Sequence, residues 1–525
     1  MQLGETPTTP EQYSSVVEAL NSRRRLDTVL EQDWAKAQFD ALANAKVRCF
    51  HWELEFPGVF LDHEGNGRAT GFNVIIGNPP YDVLSEREIG RDISHIQSYI
   101  RNDDTLAPSL VHKNNLYKIF ICRAVELLAD GGQLGFIVPM SLLGDEQAKG
   151  IREHLFSTGE LRQIHAFPQK DNPLRRVFRD AKLSTTVFVY QRLSPGNRTN
   201  KPFRSQIHPA QYIEDDSPAV DLDTNSVKLY DPRNLTIVSC SQNDWDLAVS
   251  ISKSEVARLG SFANFFQGEV NETNTRRAGL LVDADNGQLV TRGASICTYA
   301  LRQASQGNDL FLNVPGFLDG KRPDTKAFHH RLERVGLQES SPQNNFRRII
   351  ACRIPVGEFC NHTINYTTSA HNLITLELVL AVLNSTFADW YFRLGSTNAH
   401  VSHYQLKNIP CPRFNQDGKA KADAVVVAKV EDYLNKDALD DLQNDLTAEL
   451  GKEGVIATSQ QIIIRLVRYI EAEERKRGEI ARAERSHLSE NGERAQHILD
   501  DLIFKLLGIA HKEQQHIRER LAEML

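Results

Sequence analysis

The sequence lacks the features that would anchor a protein in a membrane or direct it out of the cell. No apolar stretch reaches the roughly 18 to 20 residues that a helix needs to span a bilayer. The amino-terminal segment MQLGETPTTPEQ also has no basic region followed by an apolar core, which a secretory signal would have. We therefore expect a soluble, cytoplasmic protein that does not contact membranes.

Cysteine is sparse, and its pattern fits neither a disulfide framework nor a zinc site. The seven cysteines are an odd number, with no CxxC pair and no Cys/His cluster at zinc-binding spacing. A P-loop and a serine or cysteine nucleophile constellation are absent as well. This pattern indicates a reducing compartment and no metal centre. The cysteines are Cys49, Cys122, Cys240, Cys297, Cys352, Cys360 and Cys411.

An overall basic charge is also missing. The formal net charge is -7 at pH 7, so any surface that binds nucleic acid must be a local basic face. The chain does have length, because 525 residues with 41% hydrophobic side chains can bury the cores of more than one domain.

The hydrophobic pattern predicts the α/β fold class and divides the chain into four regions. The run FNVIIG, the helical pattern LYKIFICRAVELL, a Gly-Gly break and the run QLGFIVP form a strand–helix–strand unit. Together with later strand patterns, this unit predicts an open, partly parallel sheet. The predicted regions are a helical segment at 1–49, an α/β region at 50–192, a mixed α/β domain rich in loops at 193–413, and a charged helical segment at 414–525.

Local signals refine three of these regions. Thr9 as N-cap, with Pro10 and Gln12 after it, predicts a helix over 9–45. The alternation in FHWELEF predicts a strand over 50–56. The charged run RYIEAEERKRGEIARAERS is interpreted as the solvated face of a helix.

The most informative motif is Asn78-Pro79-Pro80-Tyr81, which directly follows the apolar run FNVIIG. Ligands of α/β sheets bind at the carboxyl ends of such strands. The Asn78 side-chain oxygen and the Pro79 carbonyl can accept two N–H groups, while the Tyr81 ring can stack on the planar group that carries them. An amino group held in this way becomes a better nucleophile toward a methyl group. The alternative is an ordinary turn, since Asn-Pro is a common turn initiator.

Several long blocks in the same order resemble the amino-methylating DNA methyltransferases, specifically the large adenine-N6 type of type IIG restriction-modification and BREX-like phage-defence systems. The resemblance implies a partial Rossmann-like methyltransferase sheet followed by a target-recognition domain. It further implies methyl transfer from S-adenosylmethionine to N6 of a flipped adenine. The blocks are FHWELEFPGVF, FNVIIGNPPYDVL, YKIFICRAVELLADGGQLGFIVPMSLL, VFRDAKLSTTVFVYQ, FANFFQGEVNET, RRIIACRIP and VLAVLNSTFADWYFRLGSTNAHVSHYQLKNIPCP.

The same resemblance assigns roles to individual residues. Asn78 and Pro79 would hold the amino group, Pro80 would shape the loop, and Tyr81 would stack on the adenine. Asn78 would also lie against the cofactor. Phe178 lies where the family has a second aromatic that packs on the base, although a core phenylalanine in a hairpin explains it equally well.

One element of the family is missing before Asn78. A glycine-rich strand–loop and a following acidic residue normally hold the cofactor, and neither LGET nor EGNG has the required strand and helix around it. We therefore expect the carboxyl-terminal portion of a longer or split enzyme, with an upstream polypeptide supplying the cofactor half. The alternatives are a non-catalytic DNA-binding or specificity subunit, a gene remnant, and a methyltransferase that acts on RNA or on protein glutamine.

The second domain is expected to face double-stranded DNA, because arginine binds guanine edges and phosphates through two hydrogen bonds. A polar loop over 393–404 suits phosphate contacts. His400 and His403 favour a polar loop over a metal site, and Pro323-Asp324-Thr325-Lys326 does not meet the requirements of a nuclease motif. The candidate DNA-binding residues are Arg276, Arg277, Arg292, Arg347, Arg348, Arg393, Ser396 and Thr397.

Overall fold

The structure is a computed structural model, and it describes most of the chain. The described residues are 9–20, 28–29, 31–44, 50, 52–60, 71–111, 114–254, 256–302, 309–343, 345–396, 399–414, 421–449, 455–478 and 484–523.

The amino-terminal region is helical, as predicted, but it is not one helix. Thr9 N–H donates to Gln12 Oε1 (2.8 Å) and Gln12 N–H donates to Thr9 Oγ1 (3.3 Å), which confirms the predicted N-cap. A turn at 31–32 precedes the next helix, which begins at the acidic residue Asp33. The helices of this region are Pro10–Leu20, Asp33–Asn44, Trp52–Glu55 and Pro57–Phe60.

The strand predicted over 50–56 is wrong. Phe56 N–H donates to the Trp52 carbonyl (2.9 Å), as in a helical turn. The aromatic spacing also fits a helix, because Trp52 and Phe56 are four residues apart and their rings stack at 5.9 Å. Both rings pack edge-on against Phe72.

The main sheet has six strands in the order β1-β2-β4-β3-β5-β6, which confirms the α/β prediction. β1 runs parallel to β2 and β3 runs parallel to β5, while β4 and β6 are antiparallel to their neighbours. The carboxyl ends of β1, β2, β3 and β5 therefore meet at one edge. The sheet also continues past the boundary predicted at residue 192. The strands are β1 Phe72–Gly77, β2 Leu128–Pro139, β3 Gly159–Phe167, β4 Thr185–Arg192, β5 Phe203–Ile207 and β6 Ala219–Leu222.

Helices cover one face of this sheet. The helix Leu116–Leu127 connects β1 to β2 and confirms the predicted strand–helix–strand unit, and Lys149–Thr158 connects β2 to β3. Their apolar side chains share a core with buried strand residues. The side chains on this buried face include Leu134, Phe136, Val138, Ile164, Phe188 and Tyr190. The remaining helices between β1 and β3 are Glu86–Ile89, Ser94–Asn102, Ser141–Gly144 and the 3-10 segments Asp104–Leu110 and Glu146–Ala148.

Residues 224–411 add helices around two further four-stranded sheets, whose strand orders are β14-β10-β11-β9 and β13-β12-β15-β8. Two small apolar clusters lie within these sheets, separate from the main core. The strands are β7 Ala257–Arg258, β8 Phe266–Gln267, β9 Leu281–Val282, β10 Gln288–Thr291, β11 Phe311–Leu312, β12 Arg334–Gln338, β13 Ala351–Ile354, β14 Phe359–Cys360, β15 Ile364–Thr368 and β16 Pro410–Cys411. The helices are Thr224–Tyr230, Gln242–Lys253, Glu272–Arg277, Val314–Leu318, Leu376–Leu383, Thr386–Leu394 and His403–Asn408.

The carboxyl-terminal helices pack against Leu376–Leu383 and Thr386–Leu394 and share the main core. The charged run in this region is not only a solvated face. Glu471 and Glu474 are 3% and 1% exposed, and their buried charges are paired, Glu471 with Arg353 (3.1 Å) and Glu474 with Arg302 (3.6 Å). The helices are Ala424–Asn435, Leu439–Glu449, Val455–Lys476, Glu490–Leu506 and His511–Glu523. Within the described residues, no helix has the length and apolar character to cross a membrane.

Candidate active site

The Asn78–Tyr81 loop lies at the carboxyl end of β1, at the edge where the parallel strands of the main sheet end. Pro79 is buried, whereas Asn78 and Pro80 are exposed. Each proline fixes its own φ and removes a backbone donor, so the loop offers carbonyl acceptors in a restricted conformation. The buried proline therefore anchors a loop whose polar side chain faces outward.

The Tyr81 hydroxyl fixes the orientation of Asn78. It donates to Asn78 Oδ1 at 2.8 Å and also lies 3.1 Å from the Ile137 carbonyl on the neighbouring strand β2. Partial burial raises the pKa of Tyr81 to about 12, so the hydroxyl keeps its proton and remains a donor at neutral pH. The Asn78 oxygen has two lone pairs, and the second can accept a hydrogen bond from an N–H of a bound group.

The chain after Tyr81 is held in place on both sides. Leu116 N–H donates to the Asp82 carbonyl (2.9 Å), and Leu84 N–H donates to the Asn114 carbonyl (2.8 Å). These bonds tie the loop to the beginning of the helix Leu116–Leu127, which itself packs on the sheet. The site therefore rests on rigid elements rather than on a free loop.

Phe178 lies beside Tyr81. Their ring centroids are 6.2 Å apart with an interplanar angle of 66°, an edge-to-face arrangement. Phe178 belongs to the loop 168–184 between β3 and β4, and it is partly exposed. The two rings and Asn78 form one cluster, which we name the aromatic corner.

The loop that carries Phe178 is basic, a feature that the sequence reasoning missed. It contains five basic and two acidic residues, and Arg175 and Arg179 are exposed. Lys182 pairs with Asp171 at 2.8 Å on the surface. The stretch PLRRVFRDAK could have revealed this, because it concentrates positive charge within a few residues of Phe178.

The candidate arginines at the start of the second domain cluster around one carboxylate. Arg276 lies 3.1 Å and Arg292 lies 3.6 Å from Glu272, and Arg277 is exposed on the same short helix as Arg276. The structure thus brings Arg276 and Arg292 together at Glu272, with Arg277 next to Arg276 in the helix.

Three other candidate arginines lie in the interior and not on a DNA-facing surface. Arg347 is 8% exposed and donates to the Asn384 carbonyl (2.6 Å). Arg348 is 1% exposed, with its guanidinium over the Phe392 ring at 5.2 Å. Arg393 pairs with Asp389 at 2.8 Å. Their burial goes against the prediction that they contact DNA, because their side chains already contact internal carbonyls, a carboxylate and a ring.

Ser396 is partly exposed and borders a cavity of about 330 Å³ together with Arg348 and Arg393. Thr397 lies outside the described residues. His400 pairs with Glu339 (2.7 Å), which raises its pKa, and His403 contacts Asn365 Oδ1 (2.8 Å). Among the described residues, no group of three or more potential ligands could hold a metal ion.

Three glycines around β1 do not form a cradle for S-adenosylmethionine. A Cβ at Gly71 would lie 2.6 Å from Ala129 N, at Gly132 2.7 Å from the Phe72 carbonyl oxygen, and at Gly77 3.1 Å from the Phe136 ring. These glycines therefore permit close packing within the chain and do not cradle a ligand. Neither LGET nor EGNG lies within the described residues.

Comparison with known proteins identifies the same region of the chain. Residues 13–173 match the Eco57I restriction-modification methylase family. The type II methyltransferase M.BsuBI of Bacillus subtilis is 27% identical over 104 residues, which are 20% of this chain and 18% of that protein. The type II methyltransferase M.AccI of Acinetobacter calcoaceticus is 23% identical over 163 residues, 31% of this chain and 26% of that protein.

The chain thus spans less than a third of the length of these two curated relatives. Among solved structures, this chain is similar to the type IIL restriction-modification enzyme MmeI in complex with DNA. The superposed residues are 87% of this chain and 59% of the MmeI chain, with 11% sequence identity and a TM-score of 0.42. The matched residues include the Asn78–Tyr81 loop and end just before Phe178. Over residues 13–173, the chain therefore resembles the restriction-modification methylases of the Eco57I type.

Proposed function

We propose that this chain forms the amine-binding part of a DNA methyltransferase that modifies N6 of a flipped-out adenine, with S-adenosylmethionine as the methyl donor. The enzyme would act in a restriction-modification or phage-defence system. One observation carries the proposal: the Asn78 oxygen, oriented by the Tyr81 hydroxyl, stands at the carboxyl end of β1 beside the Tyr81 and Phe178 rings.

The aromatic corner can bind the amino group of a base and orient it. Asn78 Oδ1 and the Pro79 carbonyl each accept one N–H, which disfavours conjugation of the nitrogen lone pair with the ring and directs that lone pair outward. The Tyr81 ring offers a stacking surface, and base–aromatic stacking contributes about 1 to 3 kcal/mol per base. The described residues do not account for binding of the donor, so this mechanism concerns the amine alone.

Two basic surfaces support DNA as the substrate. The exposed Arg175 and Arg179 flank Phe178 in the chain and can contact phosphates next to a flipped base. Arg276 and Arg292, which meet at Glu272, and the exposed Arg277 beside Arg276 supply further basic groups in the predicted recognition domain. Binding through such local surfaces should weaken steeply with salt despite the acidic net charge.

The second candidate function is a DNA-recognition module without catalytic activity. The close packing around Gly71, Gly77 and Gly132, which leaves no donor cradle, favours it. This candidate predicts that the chain binds DNA and that no methyl transfer depends on Asn78.

The test is transfer of a labelled methyl group from S-adenosylmethionine to duplex DNA, RNA or protein. The purified chain is assayed alone and together with the polypeptide encoded immediately upstream. We expect label in DNA, lost in Asn78→Ala and retained in Asn225→Ala, a matched control at an exposed asparagine. Label in RNA or protein, or transfer to DNA that Asn78→Ala leaves unchanged, would contradict the proposal.

A further inference from the structure

The loop between β3 and β4 carries an exposed apolar side chain within its basic stretch. Leu174 is 76% exposed, and the residues around it are mostly polar or charged. A single exposed leucine is common on protein surfaces and by itself indicates nothing. The conformation of the loop, its charge and its position beside the aromatic corner distinguish Leu174 from such residues.

Hydrogen bonds to Asn172 hold the segment around Leu174 in a turn. Leu174 N–H donates to Asn172 Oδ1 (2.9 Å). The N–H groups of Arg175 and Arg176 donate to the Asn172 carbonyl (3.0 and 3.1 Å). Pro173, inside this turn, fixes its own φ. The exposed leucine therefore lies on a turn of restricted conformation.

The two limbs of the loop are also tied to each other. The Arg176 guanidinium donates to the Lys170 carbonyl (3.3 Å) and to the Arg179 carbonyl. Where the loop leaves the sheet, the Ser184 hydroxyl donates to the Pro168 carbonyl (2.8 Å). A loop that is ordered before binding loses little conformational entropy when its side chains become buried in a partner.

The neighbouring loop 208–218, between β5 and β6, provides a contrast. β3 and β5 are parallel neighbours, so both loops leave the sheet at the same edge. Loop 208–218 also exposes an apolar side chain, Ile213 at 57%, but the three exposed residues that follow it are acidic. Leu174 is instead followed by two arginines, in a loop with five basic and two acidic residues. Charge complementarity therefore favours a polyanion at Leu174 and disfavours one at Ile213.

Leu174 is also close in the chain to a ring of the aromatic corner. It precedes Phe178 by four residues, and four residues span at most about 14 Å. Phe178 in turn lies against Tyr81, with 6.2 Å between the ring centroids. A flipped base and the gap that it leaves belong to the same nucleotide, so the groups that contact them must lie near each other. One loop can therefore reach both.

We propose that Leu174 is a wedge that enters the base stack of duplex DNA at the gap left by the flipped adenine. The flipping of an adenine rests on the proposed function. Inserted apolar side chains unstack base steps in several classes of DNA-binding protein. Here the leucine fills the vacated space and hinders the return of the base to the stack, while Arg175 and Arg179 contact the adjacent phosphates. Leu174 is thus a positioning residue, because the aromatic corner holds the reacting amine.

The test compares binding to two fluorescent duplexes of one sequence at low salt, one intact and one with a single abasic site opposite thymine. The abasic duplex already contains the gap, so no base has to be unstacked. The variants are Leu174→Ala, which removes most of the wedge, and Leu174→Met, which keeps a side chain of similar size. Ile213→Ala is the matched control on the acidic loop. All three should retain the melting temperature of the unmodified chain, because both side chains are more than half exposed.

We expect the unmodified chain to prefer the abasic duplex about tenfold, and Leu174→Ala to lose most of this preference, because the side chain that fills the gap is missing. Leu174→Met and Ile213→Ala should keep the preference. Affinity for the intact duplex should change little, since the phosphate contacts remain. Absence of binding, equal affinity of the unmodified chain for the two duplexes, or a preference that Leu174→Ala retains or that Ile213→Ala loses equally would each overturn the inference.

The methyl-transfer assay separates this inference from the proposed function. Leu174→Ala should lower kcat about tenfold with little change in the KM for DNA, because the wedge acts after the duplex is bound. A preference for the gap that depends on Leu174, without any methyl transfer, would retain the wedge and contradict the methyltransferase. Methyl transfer that is equal in Leu174→Ala, with no preference that depends on Leu174, would do the reverse.

Discussion

Removal of the Tyr81 hydroxyl is the most direct test of the aromatic corner. Tyr81→Phe keeps the ring and removes the hydroxyl. The hydrogen bonds to Asn78 Oδ1 (2.8 Å) and to the Ile137 carbonyl (3.1 Å) are therefore lost. A hydrogen bond of this kind contributes about 0.5 to 1.5 kcal/mol to stability. Because one proton is shared between two acceptors and no cavity forms, we expect the free energy of unfolding to fall by about 1 kcal/mol.

Tyr81→Phe should also slow methyl transfer, because Asn78 is deprived of the group that orients its oxygen. Misorientation that costs about 1 kcal/mol in the transition state lowers kcat roughly fivefold. The KM for DNA should change little, since the interactions with phosphates are unaffected. Tyr81→Ala should reduce transfer further, because it also removes a stacking surface worth about 1 to 3 kcal/mol.

The assay is a double-mutant cycle with Asn78→Ala in urea unfolding, and single-turnover transfer to DNA is measured for the complete enzyme with Tyr81→Phe alone. The coupling energy between Tyr81 and Asn78 should be about 1 kcal/mol if the hydroxyl acts through Asn78. Tyr212→Phe is the matched control, since Tyr212 is 66% exposed. Additive effects of Tyr81→Phe and Asn78→Ala would refute the reasoning.

Three further predictions concern charged and titratable groups. Glu269→Ala should lower the free energy of unfolding by about 3 to 5 kcal/mol, because it leaves Arg334, fully buried and 2.9 Å from Glu269, as an uncompensated charge. Urea unfolding checks this, and a decrease of less than about 1 kcal/mol, as for a surface pair, would contradict it. Arg175→Ala combined with Arg179→Ala should weaken DNA binding and reduce the log–log salt slope by about 0.9 for each phosphate that is no longer neutralised. An unchanged slope in a binding titration at several salt concentrations would exclude a phosphate-binding role for these arginines. Burial raises the pKa of Tyr81 to about 12, above the value of roughly 10 in an unfolded chain. Its stabilising contribution should therefore be complete below pH 10 and disappear between pH 10 and 12, and unfolding curves of Tyr81→Phe should lack this decrease.

The sequence predicted the parts of the fold that depend on local periodicity. The strand–helix–strand unit around Leu116–Leu127 and the N-cap at Thr9 are both confirmed. FHWELEF was misassigned because Trp52 and Phe56 satisfy the helical spacing as well as alternation, and contacts with Phe72 favour the helix. Alternation alone does not distinguish these two structures in a short segment.

The sequence could not predict which charged residues are buried, because their partners are distant in the chain. Arg347 and Arg393 contact residues 37 and 50 positions away, and Arg353 reaches Glu471 118 positions away. Arg175 and Arg179, by contrast, lie in a locally basic loop and are exposed. Local charge density was therefore a better guide to an exposed basic surface than arginine pairs scattered along the second domain.

The two edges of the main sheet, β1 and β6, differ in how they are protected against pairing with another strand. β6, at the far edge, has four residues, carries the exposed Asp221, and has the helix Gln242–Lys253 beside it; the Asp221 N–H donates to Gln242 Oε1 at 2.9 Å. A short strand, a charge and a covering helix are the usual protection of an edge against pairing. β1 is longer, uncharged and aliphatic, and it has none of these protections among the described residues. Among the described residues, the chain thus protects the β6 edge of the sheet by the usual means and leaves the β1 edge without them.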